Sequence, residues 1–510
     1  MAAAGGTEMS SELPQHVENV IVGAGFAGLC AAIKLGEAGR EYLVIERGGD
    51  VGGTWRDNSY PGCACDVPSH LYSFSFAPNP DWRHSFSRQP QILAYLRGVA
   101  RDHGVLPHVR LQTTLTAARW DEATSTWAVE TSRGSLTADR LVLATGPLSE
   151  PSIPAIPGLA GFKGETFHSA TWNHDHDLTG ERVAVIGTGA SAIQFVPHVQ
   201  QAASRMTLFQ RTAPWVLPRR DRRYGGWERR LNRVLPVVQR CLRGLIYSAR
   251  ELMVIGFVRP QLMRRAERVA LRHLIGQVTD PELRQKLTPS FRLGCKRVLM
   301  SNTYYPALAA DNADVVTDGI VEVKPHGIVT ADSFGNRTEH PVDTIIFGTG
   351  FRVTDPPVAE LISGPDGRRL SDVWHDEGMT ALHGLAIAGL PNLFMLVGPN
   401  TGLGHTSIVL MIEAQVRYLI RLLEKVDASG GRVVGAKRTV QAAYNADLQQ
   451  RLAGTVWNAG GCQSWYLDRQ GRNTTLWPTF TFSYLKEMRS VHLSEYDVTR
   501  TADEPTAVPA

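Results

Sequence analysis

Two short glycine-rich turns carry the most chemistry in this 510-residue chain. The first is Gly23-Ala24-Gly25-Phe26-Ala27-Gly28, set between the apolar run VENVIV and the segment LCAAIKLGEAG. Gly23 permits the tight turn, Gly25 lets backbone approach a pyrophosphate, and Gly28 lets a helix pack closely on a strand. The helix N-terminus then offers unpaired N–H groups and partial positive charge to phosphate. A following apolar run, EYLVIE, ends at Glu46, where a carboxylate can take both ribose hydroxyls. Such a site suits FAD or NAD.

The second turn is Gly187-Thr188-Gly189-Ala190-Ser191-Ala192, after RVAVI and before IQFVPHVQQA. Alanine at the third small position still allows close helix packing. The next apolar run, MTLF, ends at Gln210-Arg211 in place of an acid. A carboxylate there would repel a 2′-phosphate, whereas a guanidinium can form charge-assisted bonds to it. This site suits NADPH, and two dinucleotide sites in one chain imply electron transfer between them.

Positioning these turns requires parallel strands with helical crossovers. The sequence therefore predicts an α/β protein with two Rossmann-like dinucleotide-binding domains. Buried strands closing on small-residue turns recur at Asp139–Gly146 and Asp343–Gly350, and PLSEPSIPAIPGL reads as a linker. The expected divisions are 1–149 for the first part of the FAD domain and 150–342 for the NADPH domain. Residues 343–510 would complete the FAD domain with active-site loops and a loose tail. An arginine-rich stretch at about 222–286 is expected as a helical insert shaping the substrate entrance; a membrane-surface helix is the other reading of its pattern.

Two longer motifs point to a family. FKGETFHSATW, from Phe162 to Trp172, resembles the F-x-G-x-x-x-H-x-x-x-W fingerprint of type I Baeyer–Villiger monooxygenases, flavoproteins of class B. GGTWRDNSYPGCACD, from Gly52 to Asp66, resembles that family's second signature. The fingerprint usually closes with Pro or Asp, and here Asn173 follows. The resemblance implies that Asp66 lies beside the flavin and holds an active-site arginine. It implies that Lys296 shares the 2′-phosphate with Arg211, that Arg297 faces the flavin, and that Trp465 contacts the nicotinamide nucleotide. Phe26, Ala27, Thr54, Trp55 and Tyr72 are expected around the FAD, and the loop Gly398–Thr406 over its ring. His168 is a candidate proton donor or a hinge between domains.

The implied activity is NADPH- and O2-dependent insertion of one oxygen beside a ketone carbonyl, through a flavin C4a-peroxide, giving an ester or lactone. A guanidinium cannot act as an acid near neutral pH, so Arg297 can stabilise anions without protonating them. Heteroatom oxygenation by a related flavin monooxygenase, or flavin reduction by NADPH without oxygen insertion, are the alternatives.

Composition narrows the rest. With 43% apolar and 20% charged residues the chain has ordinary globular composition, and a net charge of +4 gives no reason for a nucleic-acid partner. Six scattered cysteines suggest no disulfide scaffold, and no C-x-x-C pair seeds a zinc site. Trp55 after Gly-Gly-Thr, where flavin disulfide reductases carry cysteine, argues against a Cys63–Cys65 redox pair. His174-Asp175-His176-Asp177 reads as a solvated segment rather than a metal site. No apolar run is long enough to span a bilayer, and the N-terminus lacks a secretory pattern, so a cytoplasmic monomer or homodimer is expected.

Overall fold

The computed structural model describes residues 12–499; the N-terminal stretch and the expected C-terminal tail lie outside them. Two parallel-stranded units carry the two glycine turns. In the first, the strand His16–Val22 pairs in parallel with Tyr42–Ile45 on one side and Gly134–Leu143 on the other. Val20, Ile21, Val44, Leu141 and Val142 are buried, because a parallel sheet covered on both faces needs continuous apolar runs. The crossover helix Phe26–Glu37 packs on this sheet and on the long helix Ile408–Ala428. An antiparallel meander, Leu115–Asp121 and Thr126–Thr131, extends the sheet beyond Gly134–Leu143. Strands from the last third of the chain return to it: Leu393–Met395 pairs with Gly134–Leu143, and Ile362–Ser363 with Leu115–Asp121.

The second unit is wholly parallel. Its five strands run in the order Ala313–Val316, Arg205–Phe209, Arg182–Ile186, Thr344–Phe347, Glu165–His168. Thr344–Phe347 lies beyond the division expected at 342. It belongs to the second sheet because it lies between Arg182–Ile186 and Glu165–His168, so the chain leaves this unit one strand later than the sequence suggested. Between the strands Arg205–Phe209 and Ala313–Val316 the chain folds into helices, including Gly226–Val234, Pro236–Glu251 and Arg264–Gln277.

One pair of the scattered cysteines is nevertheless joined. Cys295 and Cys462 form a disulfide across 167 residues, with Cα atoms 6.1 Å apart. Nothing in the local sequence of either residue signals a partner so distant. Cys30, Cys63, Cys65 and Cys241 are free thiols.

Candidate active site

At the first turn Gly23 takes a φ of +105°, and a Cβ there would lie 2.7 Å from the carbonyl oxygen of Ala144. Gly28 sits so close to the strand that a Cβ would stand 1.8 Å from Gly23 O. Gly25 faces Gly53: a Cβ on Gly53 would come within 3.0 Å of the Gly25 Cα. Two stretches of bare backbone thus face each other where the helix begins. Gly25, at the start of that helix, provides no side-chain cap, and its first turn holds no acid. Thr54 opens the short helix that follows Gly53. Buried Trp55 donates from Nε1 to the Tyr72 hydroxyl at 3.0 Å, and Phe26 meets the Tyr72 ring edge-on at 5.0 Å.

Glu46 does more than the sequence indicated. Its Oε2 accepts from Ala24 N at 2.8 Å, while Oε1 accepts from Gly48 N and from Arg56 Nη1, both at 2.7 Å. The carboxylate therefore fixes the shape of the turn as well as closing the strand.

The second turn repeats the first. Gly187 has a φ of +109°, and a Cβ there would lie 2.4 Å from Gly348 O. Ala192 is fully buried at the helix start, Gly189 and Ala190 are exposed, and Ser191 makes no capping hydrogen bond. Thr188 Oγ1 donates to Thr212 O at 3.3 Å. Gln210, expected at the nucleotide, is instead buried and donates from Nε2 to Lys286 O at 2.8 Å, tying the strand end to the end of the insert. Arg211 is exposed and, among the described residues, has no carboxylate partner. Lys296 senses its charge: burial, and then the charge of Arg211, draw the Lys296 pKa below the ordinary lysine value. Two neighbouring cations with no acid between them would suit a dianion.

Asp66 and Arg297 meet where the two units join. Arg297 Nε donates to Asp66 Oδ2 and Nη2 to Oδ1, each at 2.7 Å, a two-pronged pair. About a third of the Arg297 side chain and a quarter of Asp66 remain exposed. Burial works to raise the Asp66 pKa, but Arg297 outweighs it and holds the carboxyl below its ordinary value. The Asp66 charge in turn raises Arg297 further above the ordinary guanidinium range. Buried Tyr466 lies close enough to sense both charges; burial pushes its hydroxyl up to about 12. Trp465 is 42% exposed and packs on Tyr466, with ring centroids 4.4 Å apart. The disulfide binds these pieces together, since Cys295 precedes Lys296-Arg297 and Cys462 precedes Trp465.

His168 is not placed as a proton donor. It is 1% exposed, its Nδ1 accepts from Ala170 N at 3.1 Å, and burial lowers its pKa to about 4. A neutral imidazole that ends the strand Glu165–His168 and caps the next turn is a structural joint. The fingerprint's unusual last residue also has a reason. Asn173 Nδ2 donates to Glu165 Oε1 at 2.9 Å while Oδ1 accepts from Asp175 N at 3.1 Å, and an aspartate could not supply the first bond. His174 bonds Ser59, and His176 bonds Glu181 and Thr344; no group of metal-ligating side chains occurs among the described residues.

The sequence missed the polar links that the insert and the segment just before it make to this centre. Arg250 donates to Asp66 O at 3.4 Å and Arg219 to Cys65 O at 3.1 Å. Next to Arg250, Glu251 Oε2 lies 3.2 Å from His405 Nε2, while its Oε1 accepts from Phe482 N at 2.9 Å. Thr481 Oγ1 reaches the same His405 nitrogen at 3.1 Å. His405 belongs to the loop Gly398–Thr406, and its Nδ1 is buried without a partner.

Comparison with known proteins places this arrangement. Residues 17–246 match the family described as flavin-binding monooxygenase-like. A Baeyer-Villiger monooxygenase of Streptomyces coelicolor is 52% identical over 494 residues, covering 96% of this chain and 94% of the relative. One from Pseudomonas aeruginosa is 47% identical, covering 97% and 94%. Among solved structures, OTEMO in complex with FAD and NADP superposes with a TM-score of 0.85 at 28% identity, covering 95% of this chain and 99% of that one. Closed cyclohexanone monooxygenase gives 0.83 at 26%, covering 96% and 100%. The two glycine turns, the Asp66–Arg297 pair between them and relatives alike over almost their whole length lead to one conclusion: this chain belongs to the Baeyer–Villiger monooxygenases.

Proposed function

We propose that the enzyme holds FAD at Gly23–Gly28, NADPH at Gly187–Ala192, and converts a ketone to an ester or lactone with O2. The observation that carries this reading is the Asp66–Arg297 pair, with Asp66 coming from the first unit and Arg297 from the second. The residues fit both dinucleotides. Each turn opens a helix whose first N–H groups have no side-chain cap, and the Gly25–Gly53 approach leaves a cleft that a Cβ would close. When bound, the flavin, reduced by NADPH, supplies the electrons that activate oxygen.

The chain's own groups then set the conditions in the cleft. Arg297 keeps its proton throughout, so it stabilises negative charge developing on oxygen without neutralising it. Asp66 stays ionised, fixes the plane of the guanidinium and balances one of the cleft's positive charges. Arg211 and Lys296 would grip the 2′-phosphate, and Trp465 on Tyr466 would flank the nucleotide. The Glu251–His405 link would hold the loop Gly398–Thr406 against the insert, giving the ketone a fixed wall.

The test is NADPH oxidation under air with cyclic, aromatic, linear and steroidal ketones, with products identified by mass. Ester or lactone formed in step with NADPH consumed is the expected result. NADPH consumption without oxygenated product from any ketone would return the enzyme to the reductase reading.

A further inference from the structure

The insert helix Pro236–Glu251 buries several polar side chains and exposes several apolar ones. Gln239 and Arg243 face the protein: Gln239 Nε2 donates to Asn79 O at 2.6 Å, and Arg243 Nη1 to His70 O at 2.7 Å and Ser73 O at 2.9 Å. Arg250 and Glu251 hold Asp66 and His405 from the same side. Ile246 and Tyr247 pack against the core, but other apolar side chains face outward: Val237 is 59% exposed, Leu245 69%, and Leu252 just beyond it 65%. Spacings of eight and seven residues put these three on one stripe of a helix. Eleven of the sixteen exposed large hydrophobic residues of the described chain lie between Trp227 and Ile275, on this helix and its neighbours in the insert.

The charge is equally lopsided. Residues 226–277 contain eleven arginines and three glutamates, a net +8, while the whole chain carries +4, so the remainder is −4. Arg240, Arg259, Arg264, Arg265, Arg268 and Arg272 are exposed, and none has a carboxylate partner among the described residues. A second copy of this chain is a poor occupant, since a self-contact would press +8 against +8. An acidic surface with an apolar interior matches both properties at once: aliphatic side chains enter the acyl boundary while arginines meet headgroup phosphates.

We propose that the helical insert is a docking face for an anionic lipid bilayer. No helix among the described residues is long and apolar enough to cross a membrane, so the contact is peripheral. It does not depend on which reaction the active site performs.

The experiment is co-sedimentation of the flavin-loaded enzyme with vesicles of phosphatidylcholine alone or mixed with phosphatidylglycerol, at low and high salt. The expected result is binding to the mixed vesicles at least tenfold tighter than to phosphatidylcholine, weakened by salt. The double variant Val237→Glu, Leu245→Glu should lose it while keeping its flavin content and melting temperature, since both side chains are exposed. Three outcomes overturn the proposal: no sedimentation with either vesicle, equal sedimentation of the variant, or a dimer in light scattering that the variant abolishes while vesicles bind neither protein. The last would make a second copy the occupant of this face.

Discussion

Glu251 and His405, 154 residues apart, form a buried carboxylate–imidazole contact 3.2 Å long that joins the helical insert to the loop expected over the flavin. Burial works against the Glu251 charge, yet the His405 and Phe482 hydrogen bonds prevail and lower its pKa from 4.5. A depressed carboxylate contributes stability that is intact above pH 4.5 and lost as pH falls through the lowered value. Glu251→Gln should cost about 1–3 kcal/mol in urea unfolding at neutral pH and remove part of the wild-type acid sensitivity. It should also raise KM for ketone more than KM for NADPH; an equal effect on both would assign Glu251 a general packing role.

Arg297→Ala should still bind FAD and accept electrons from NADPH. Its yield of ester per NADPH should fall by about 10²–10³-fold, with hydrogen peroxide released instead. Arg297→Lys should not restore the product, because an ammonium lacks the two-pronged geometry and gives up its proton more readily. Asp66→Ala should show the same uncoupling in milder form. Wild-type ester yield from Arg297→Ala would make Arg297 a structural cation.

Arg211→Ala should raise KM for NADPH tenfold or more, about 1.4 kcal/mol, with little change for NADH. Steady-state kinetics with both nucleotides measure the difference. A parallel loss with NADH would move Arg211 away from the 2′-phosphate.

Peptide mapping without reductant should recover Cys295 joined to Cys462, and thiol titration of the unfolded, unreduced protein should count four free thiols. Replacing both with serine should lower stability by about 2–5 kcal/mol. Because the bond flanks Lys296 and lies near Trp465, KM for NADPH should rise in the same variant. Six reactive thiols would show the bond absent.

His383 sits between Glu487 and Glu495, at 2.8 and 3.1 Å. Burial disfavours its charge, but the two carboxylates more than compensate and raise its pKa from 6.5 to about 9. A raised imidazole contributes stability that is complete below 6.5 and lost as pH climbs through 9, no more than about 3 kcal/mol. Melting temperature should therefore fall across that window, and His383→Gln should flatten the decline.

The glycine turns were legible because each is a local pattern: strand, tight turn, helix and strand lie within about thirty residues. Asp66, Lys296 and Arg297 became legible through a family signature, since nothing near Asp66 announces a partner 231 residues away. The Glu251–His405 contact and the disulfide were invisible for the same reason. Helix Pro236–Glu251 shows a different limit. Periodicity reveals two faces of a helix, but only packing decides which side chains turn inward, and here Gln239, Arg243 and Glu251 do while Val237 and Leu245 do not. Gln210 and His168 had the expected positions in the chain, yet both are buried, and Lys286 O and Ala170 N engage Gln210 Nε2 and His168 Nδ1.

The disulfide also changes what a broken chain would look like. Between Cys295 and Cys462 the hairpin tip Asp332–Asn336 projects from the surface, with Phe334 90% exposed. A protease with aromatic preference cutting there would separate the sequence into two pieces that remain covalently one molecule. Without reductant the nicked enzyme would migrate near its full mass, and with reductant as two fragments. That tip is accordingly a place to split the enzyme, label it at a new terminus or open it for insertion, with the Cys295–Cys462 bridge as the tether between the pieces.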